Sequence, residues 1–374
     1  METQFPDDFK CPISLEIMSD PVILSSGHTF DRESIQRWLD AGHRSCPITK
    51  LPLPDHPSLI PNHALRSLIS SVAPVRSQPP NGTAVDLSPQ AMISVLTSKS
   101  SSPKSKLNSL TQLSRLSKND LGLRKRITES GAVSAVLNCV RFDGGGGVSG
   151  LQEKALSLLL NLSLDDDNKI GLVAEGAIGR VVNALRVGSS DCRALAATII
   201  TSLAVMEVNK ATIGDYPSAI QALVSLLQAG KLIREKKEAT TALYALTLFP
   251  DNRKRVINCG AVPILIQIVD LGIERAVEVL SVLAKCKEGR EEIMRVDGCV
   301  KTFVRMLKNG SPRAVQCSLF TLNSLCCCNE QMTLESWKEG VFDICLGLLD
   351  DDDNKVRNNA NNFIQTLNGK PSMR

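Results

Sequence analysis

The sequence predicts a mainly α protein in two parts, a small α+β domain over residues 1–72 and an all-α repeat solenoid over 88–374, with a linker at 73–87. Three observations carry this. A short apolar signature recurs every 38 to 45 residues from Gly131 onward, and that interval belongs to stacked helical repeats. The chain is 43% hydrophobic yet only 3% aromatic, a balance of Leu, Ala and Val that favours packed helices over a β-sandwich. The N-terminal segment lacks the repeat and instead holds two Cys-Pro pairs, Cys11-Pro12 and Cys46-Pro47.

Composition narrows the function classes. A net charge of +4 over 374 residues does not by itself call for nucleic acid or an anionic membrane. The twelve cysteines are scattered, mostly at apolar helical positions, and no apolar signal segment precedes them. They read as thiols of a reducing compartment, cytosol or nucleus. No apolar run is long enough to cross a bilayer.

A cross-braced two-zinc domain the size of the first element needs about eight Cys, His or Asp ligands. Between Phe9 and Ile69 the chain offers Cys11, Cys46, His28, His43, His56 and His63, and no C-x-x-C pair. Cys11, His28, His43 and Cys46 suffice for one site by count alone. The expected arrangement is metal-free, held by hydrogen bonds, ion pairs and apolar packing. No nucleophile with an activating neighbourhood stands out, since each cysteine precedes proline in a packed loop.

The ordered motifs are Asp8-Phe9-Lys10-Cys11-Pro12-Ile13-Ser14-Leu15-Glu16-Ile17-Met18, Asp20-Pro21-Val22, Gly27-His28-Thr29-Phe30-Asp31-Arg32 and Ile35-Gln36-Arg37-Trp38-Leu39. Cys46-Pro47-Ile48-Thr49, Leu59-Ile60-Pro61-Asn62 and Leu65-Arg66-Ser67-Leu68-Ile69 complete the set. Together they resemble the U-box, a zinc-free RING-like domain. That resemblance implies ubiquitin-protein ligase activity with no cofactor and no covalent ubiquitin intermediate on the ligase. The partner it implies is a ubiquitin-charged conjugating enzyme. Carried over by motif, Ile13 on the first loop, Trp38 on the central helix and Pro47 on the second loop form its docking patch. Trp38 also admits a core reading. Ile13 is assigned to the surface because Leu15, Met18 and Val22 are expected to fill the core. Lys50 falls where related ligases place an activating cation, although an ordinary surface lysine would look the same. Asp20, Asp31, Arg32 and Arg66 are the polar residues expected to take over zinc's structural part.

The solenoid follows in order. Ser88-Pro89 with Met92, Ile93, Val95 and Leu96 reads as a capped first helix. Ser98 to Ser105 reads as a polar loop, and Lys106 to Leu116 completes an atypical first repeat. Gly131-Ala132-Val133, Gly176-Ala177-Ile178, Gly260-Ala261-Val262 and Gly298-Cys299-Val300 then open successive repeats, with Ser218 and Gly340 opening weaker copies. Each is followed by an apolar helix such as Ala155 to Ser163, whose leucine stripe only a stacked neighbour can hide. Asn168, Asn209 and Asn252 mark turns into the next repeat. Gly144 to Gly147 suggests an inserted loop, and Cys326 to Cys328 ends a repeat helix as core thiols.

This style is similar to armadillo repeats, about six or seven of them, and the whole arrangement resembles plant U-box proteins. The resemblance implies a protein substrate held in the groove. Asn161, Ser202, Ser324 and Thr366 align with the groove asparagine row. The tryptophan ladder of transport adaptors is missing, with Ser157 standing one turn before Asn161 and Trp337 on a different helix. Eight Lys or Arg with one acid lie between Lys99 and Arg126, but no aromatic is interleaved. A solvated face is therefore favoured over specific nucleic-acid binding. A non-catalytic armadillo scaffold is the alternative function.

Overall fold

The computed structural model describes residues 6–24, 26–54, 57, 59–62, 65, 69, 88–142 and 150–369. The chain divides into two compact units, 1–85 and 86–374. The expected linker, the glycine run 144–147, Arg66, His56 and His63 lie outside the described residues.

In the first unit, β1 (Pro21–Ile23), β2 (Thr29–Asp31) and β3 (Ile60–Pro61) form an antiparallel sheet in the order β2-β1-β3. Val22 pairs with Phe30, and Ile23 with Ile60. Helix α1 (Arg32–Asp40) leaves β2 directly, because the Asp31 side chain accepts the Glu33 amide as an N-cap. The core is small: Phe9, Met18, Val22, Leu24, Phe30, Ile35 and Leu39 close around the fully buried sulfurs of Cys11 and Cys46.

The second unit is an armadillo solenoid. It starts with α2 (Pro89–Thr97) and α3 (Pro103–Ser117). Three-helix units follow: α4 (Leu121–Glu129), α5 (Val133–Cys139), α6 (Leu151–Leu162); α7 (Asp166–Ala174), α8 (Ala177–Val187), α9 (Ser190–Leu203); and α10 (Glu207–Asp215), α11 (Ala219–Ala229), α12 (Ile233–Thr247). The series ends with α13 (Pro250–Asn258), α14 (Ala261–Asp270), α15 (Arg275–Leu283); α16 (Lys287–Met294), α17 (Cys299–Asn309), α18 (Pro312–Cys328); and α19 (Glu330–Lys338), α20 (Val341–Gly347), α21 (Asn354–Asn368). The third helices pack serially, α3 on α6, then α9, α12, α15, α18 and α21. Each hides its neighbour's leucine stripe, as in Leu156, Leu158, Leu159 and Leu162 of α6, all fully buried.

The chain turns into each second helix through a left-handed residue. Gly260 does so at φ 71°, and Ser218 takes the same conformation at φ 64° despite its Cβ. Ser98 to Ser105 is shorter as a loop than its composition suggests: Ser102 caps α3 and Pro103 opens it, since a missing N–H costs nothing at a helix's first position. Of the three successive cysteines only Cys326 is core. Cys327 and Cys328 are exposed, because the buried stripe of α18 turns away from them over its last turn.

The asparagines do more than mark turns. Asn209 Nδ2 donates to the carbonyls of Leu203 (3.0 Å) and Lys169 (3.2 Å), and Asn252 repeats this with Leu246 (3.0 Å) and Lys210 (2.9 Å). Each thus ends one third helix and staples the neighbouring repeat's first helix. Asn252 fits because Gly214 leaves the space, where an added Cβ would lie 1.8 Å from Asn252 Oδ1. Asn252→Ala strips a donor from one buried and one part-buried carbonyl and should cost about 1–3 kcal/mol, read as a shifted urea midpoint of the solenoid transition. An unchanged midpoint would refute the staple.

Candidate functional site

The first unit contains one loop built twice. In the first copy the Cys11 amide donates to the Glu16 carbonyl (2.7 Å) and the Leu15 amide to the Cys11 carbonyl (2.8 Å). In the second, Cys46 donates to Leu51 (2.9 Å) and Lys50 to Cys46 (2.9 Å). Leu15 and Lys50 occupy equivalent positions and share a left-handed backbone, φ 60° and 59°. A bridge closes each loop, Lys10 with Ile17 and Ser45 with Pro52.

The cysteine sulfurs act as hydrogen-bond acceptors. Cys11 Sγ takes the Asp31 amide at 3.2 Å, and Cys46 Sγ takes the Ser26 hydroxyl at 3.1 Å. Burial of Cys46 works against ionisation, but the Ser26 and Thr49 hydroxyls and the Thr49 and Ile48 amides outweigh it, lowering its thiol to about 7. Burial likewise opposes ionisation at Cys11, and amides of Ser14, Asp31 and Ile13 bring it below the ordinary thiol value. The two histidines counted with them are engaged elsewhere. His43 stacks on Trp38 with centroids 4.1 Å apart, and His28 Nδ1 lies 3.1 Å from the Ser26 carbonyl.

Asp31 ties the first loop to the helix. Its Oδ2 accepts the Ser19 amide (2.7 Å), the Ser19 hydroxyl (3.0 Å) and the Asp20 amide (3.0 Å). Arg32 Nε pairs with Asp20 at 2.8 Å, both side chains being about one-third exposed. Such a half-solvated pair contributes little alone. Trp38 Nε1 donates to the Ser45 carbonyl at 2.9 Å and so anchors the second loop to α1. Lys50 Nζ lies 5.9 Å from the Trp38 ring centroid, within reach of a cation–π contact.

Ile13, Trp38 and Pro47 are all partly buried, and Ile13 and Trp38 pack against the same core. Leu15 departs from its expected place. It is 75% exposed, because the left-handed turn aims it outward, while Met18 and Val22 do fill the core. Ile48 and Leu51 on the second loop are exposed as well, at 43% and 62%. The surface therefore presents apolar side chains from both loops. Leu15, Ile48 and Leu51 could have been suspected only from the Cys-Pro-Ile-Ser/Thr loop repetition.

In the solenoid, Asn161, Ser202, Ser324 and Thr366 all lie on third helices. Their polar groups are in use. Asn161 Nδ2 donates to the Ser114 carbonyl (2.6 Å) and Ser117 hydroxyl (3.0 Å), and Ser202 Oγ donates to the Ser163 carbonyl (2.7 Å). Ser324 and Thr366 hydroxyls bond back to Phe320 and Asn362 carbonyls on their own helices.

A family model described as U-box domain matches residues 5–74, and one described as plant U-box protein ARM repeat region matches residues 91–372. U-box domain-containing protein 8 of Arabidopsis thaliana is 59% identical, with 99% of each chain covered. U-box domain-containing protein 1 of Medicago truncatula is 32% identical over 87% of this chain and 51% of its own, so this chain spans about half of it. E3 ubiquitin-protein ligase PUB23 of Arabidopsis thaliana is 27% identical over 84% of this chain and 81% of its own. Among solved structures, an engineered protein matches with TM-score 0.65 at 19% identity, covering 76% of this chain and 69% of that one. A chain from work on the phosphorylation switch between cadherin and beta-catenin matches at TM-score 0.65 and 16% identity, covering 75% and 52%. At those identities the likeness speaks for the solenoid fold alone.

Proposed function

Because this chain belongs to the plant U-box proteins that carry an armadillo-repeat region, we propose that it is a ubiquitin-protein ligase docking a charged conjugating enzyme on its twin loops. The apolar side chains exposed on both loops, led by Leu15, carry this reading. Ile13, Trp38 and Pro47 complete the patch, and Lys50, leaving the second loop beside Trp38, is the cation available to the docked pair. A lysine is a point charge without arginine's planar fork, so it fixes orientation less well. Asp20, Asp31 and Arg32 hold the loops in place of zinc. The rate gain is one of orientation: the thioester is held where a substrate lysine can attack it, and the ligase forms no covalent bond. The solenoid over 88–374 holds the protein substrate along its third helices, the 73–87 linker joining it to the docking domain of 1–72. Among the described residues no helix is long and apolar enough to cross a membrane, and we place the reaction in cytoplasm or nucleus.

An autoubiquitylation assay with a panel of conjugating enzymes, run with and without a zinc chelator, tests this. Chains are expected at the same rate in both conditions, because the Asp31 amide and the Ser26 hydroxyl already donate to the Cys11 and Cys46 sulfurs and the loops are closed by hydrogen bonds. Folded protein inactive with every enzyme would point instead to a non-catalytic scaffold.

A further inference from the structure

The groove of the solenoid is not uniform along its length. One turn before the Asn161 and Ser202 row stand Ser157, Thr198, Thr241, Glu278, Phe320 and Asn362. At the N-terminal end this surface is self-satisfied. Lys154 pairs with Glu153 (3.2 Å), and the Thr198 hydroxyl donates to Glu238 (2.9 Å).

Over α12, α15, α18 and α21 the character changes. A cavity of about 420 Å3 opens there, lined by Tyr244, Phe320, Lys285, Arg313, Lys355 and Asn359 among others. Glu278 is the one carboxylate among its described lining residues, and it is already bonded to Arg275 (2.9 Å) and Arg313 (3.3 Å). At the rim, Asp353 accepts from Gln316 (2.7 Å) and caps α21 through the Lys355 amide (2.7 Å). Arg275 lies over the Tyr244 ring, 5.1 Å from its centroid. Lys285 and Lys355 are exposed, and neither ammonium has an ion pair among the described residues. Phe320 is 36% exposed in the middle of a packed helix. In a chain this poor in aromatics, two aromatic rings and two uncommitted cations meet in one hollow.

We propose that this hollow binds a short, extended, acidic segment of a partner protein, its large apolar side chain against Tyr244 and Phe320 and its carboxylates on Lys285 and Lys355. The inference rests on the reading of the solenoid as the substrate-holding part and names the class of substrate it holds. Charge complementarity supports it, since the cations around the cavity outnumber the carboxylates and the acids are spent internally. The amides of Asn358 and Asn359 can both donate and accept, which suits a peptide backbone better than phosphate. Four helices about 9 Å apart would be spanned by roughly eight extended residues.

The probe is a fluorescein-labelled peptide of about eight residues, Asp and Glu around one central Phe, titrated into the full chain and followed by anisotropy. Saturable binding that weakens with salt is expected. The double variant K285E/K355E should weaken it about ten-fold with an unchanged melting profile, since both lysines are exposed. Replacing the central Phe by Gly should weaken it several-fold. Equal binding of an all-lysine counterpart, unaltered affinity in K285E/K355E, or full displacement by equimolar single-stranded RNA would each overturn the proposal. Ubiquitin-chain formation is read separately on the unmodified chain. Chains without peptide binding defeat this inference alone, and peptide binding without chains defeats only the ligase reading.

Discussion

Asp31→Ala is expected to destabilise the N-terminal unit by about 2–4 kcal/mol, the sum of a lost helix cap and lost charge-assisted hydrogen bonds after discounting for solvent exposure. One carboxylate serves the Ser19 and Asp20 amides, the Ser19 hydroxyl and the α1 N-cap, so no neighbour can substitute for it. A domain of this size rarely holds more than about 3–5 kcal/mol in total. Differential scanning calorimetry of the full chain should therefore show the U-box transition collapse towards ambient temperature while the solenoid transition stays put. A U-box transition that does not move would remove Asp31 from its structural role. The same carboxylate gives a pH signature. Burial opposes its ionisation, but the amides of Asp20 and Ser19 outweigh this and hold its pKa below the usual carboxylate value. A depressed folded pKa means the stabilisation is fully present above the unfolded value, about 3.9, and is lost as pH falls through the folded one. The U-box of the unmodified chain should thus lose stability on acidification below about pH 4. Asp31→Asn should be less stable at neutral pH, with a flatter profile below about pH 4.

Leu15→Gly is expected to separate docking from folding. Leu15 is mostly exposed and sits at positive φ, which glycine adopts without strain. Stability should stay within about 1 kcal/mol of the unmodified chain or rise. Removing a leucine contact of about 1.5–3 kcal/mol should weaken conjugating-enzyme binding roughly 10- to 150-fold. Ile13→Ala should lose docking by a similar factor, yet it also costs stability, because Ile13 packs on the core. Titration of a conjugating enzyme against each variant, beside its melting curve, gives the comparison. Normal affinity in folded Leu15→Gly would exclude the first loop from the interface.

How far the sequence could be read varied by residue. The Cys-Pro pairs with too few ligands pointed to a zinc-free domain, and the Gly-Ala-Val/Ile period pointed to stacked helices. Leu15 was misplaced as core because a leucine at positive φ leaves no mark in sequence. Only the hydrogen bonds closing its loop turn it outward. The Asn161 row was legible as a row, but its occupation by Ser114, Ser117 and Ser163 depends on neighbouring repeats 39 to 47 residues away. Tyr244, Phe320 and Lys355 come from three different helices and Lys285 from the turn after a fourth; they share no motif, so nothing in the chain's order links them.

Local chemistry by itself determined what repeats and what caps: apolar stripes, left-handed glycines and Ser-Pro helix starts act within a few residues, so their pattern survives in one dimension. Which side chains face outward, which sulfur meets which donor, and which cations remain unpaired depend on neighbours brought close by folding. Those facts were decided only in the tertiary structure, because a hydrogen bond or an ion pair is a property of two groups in space.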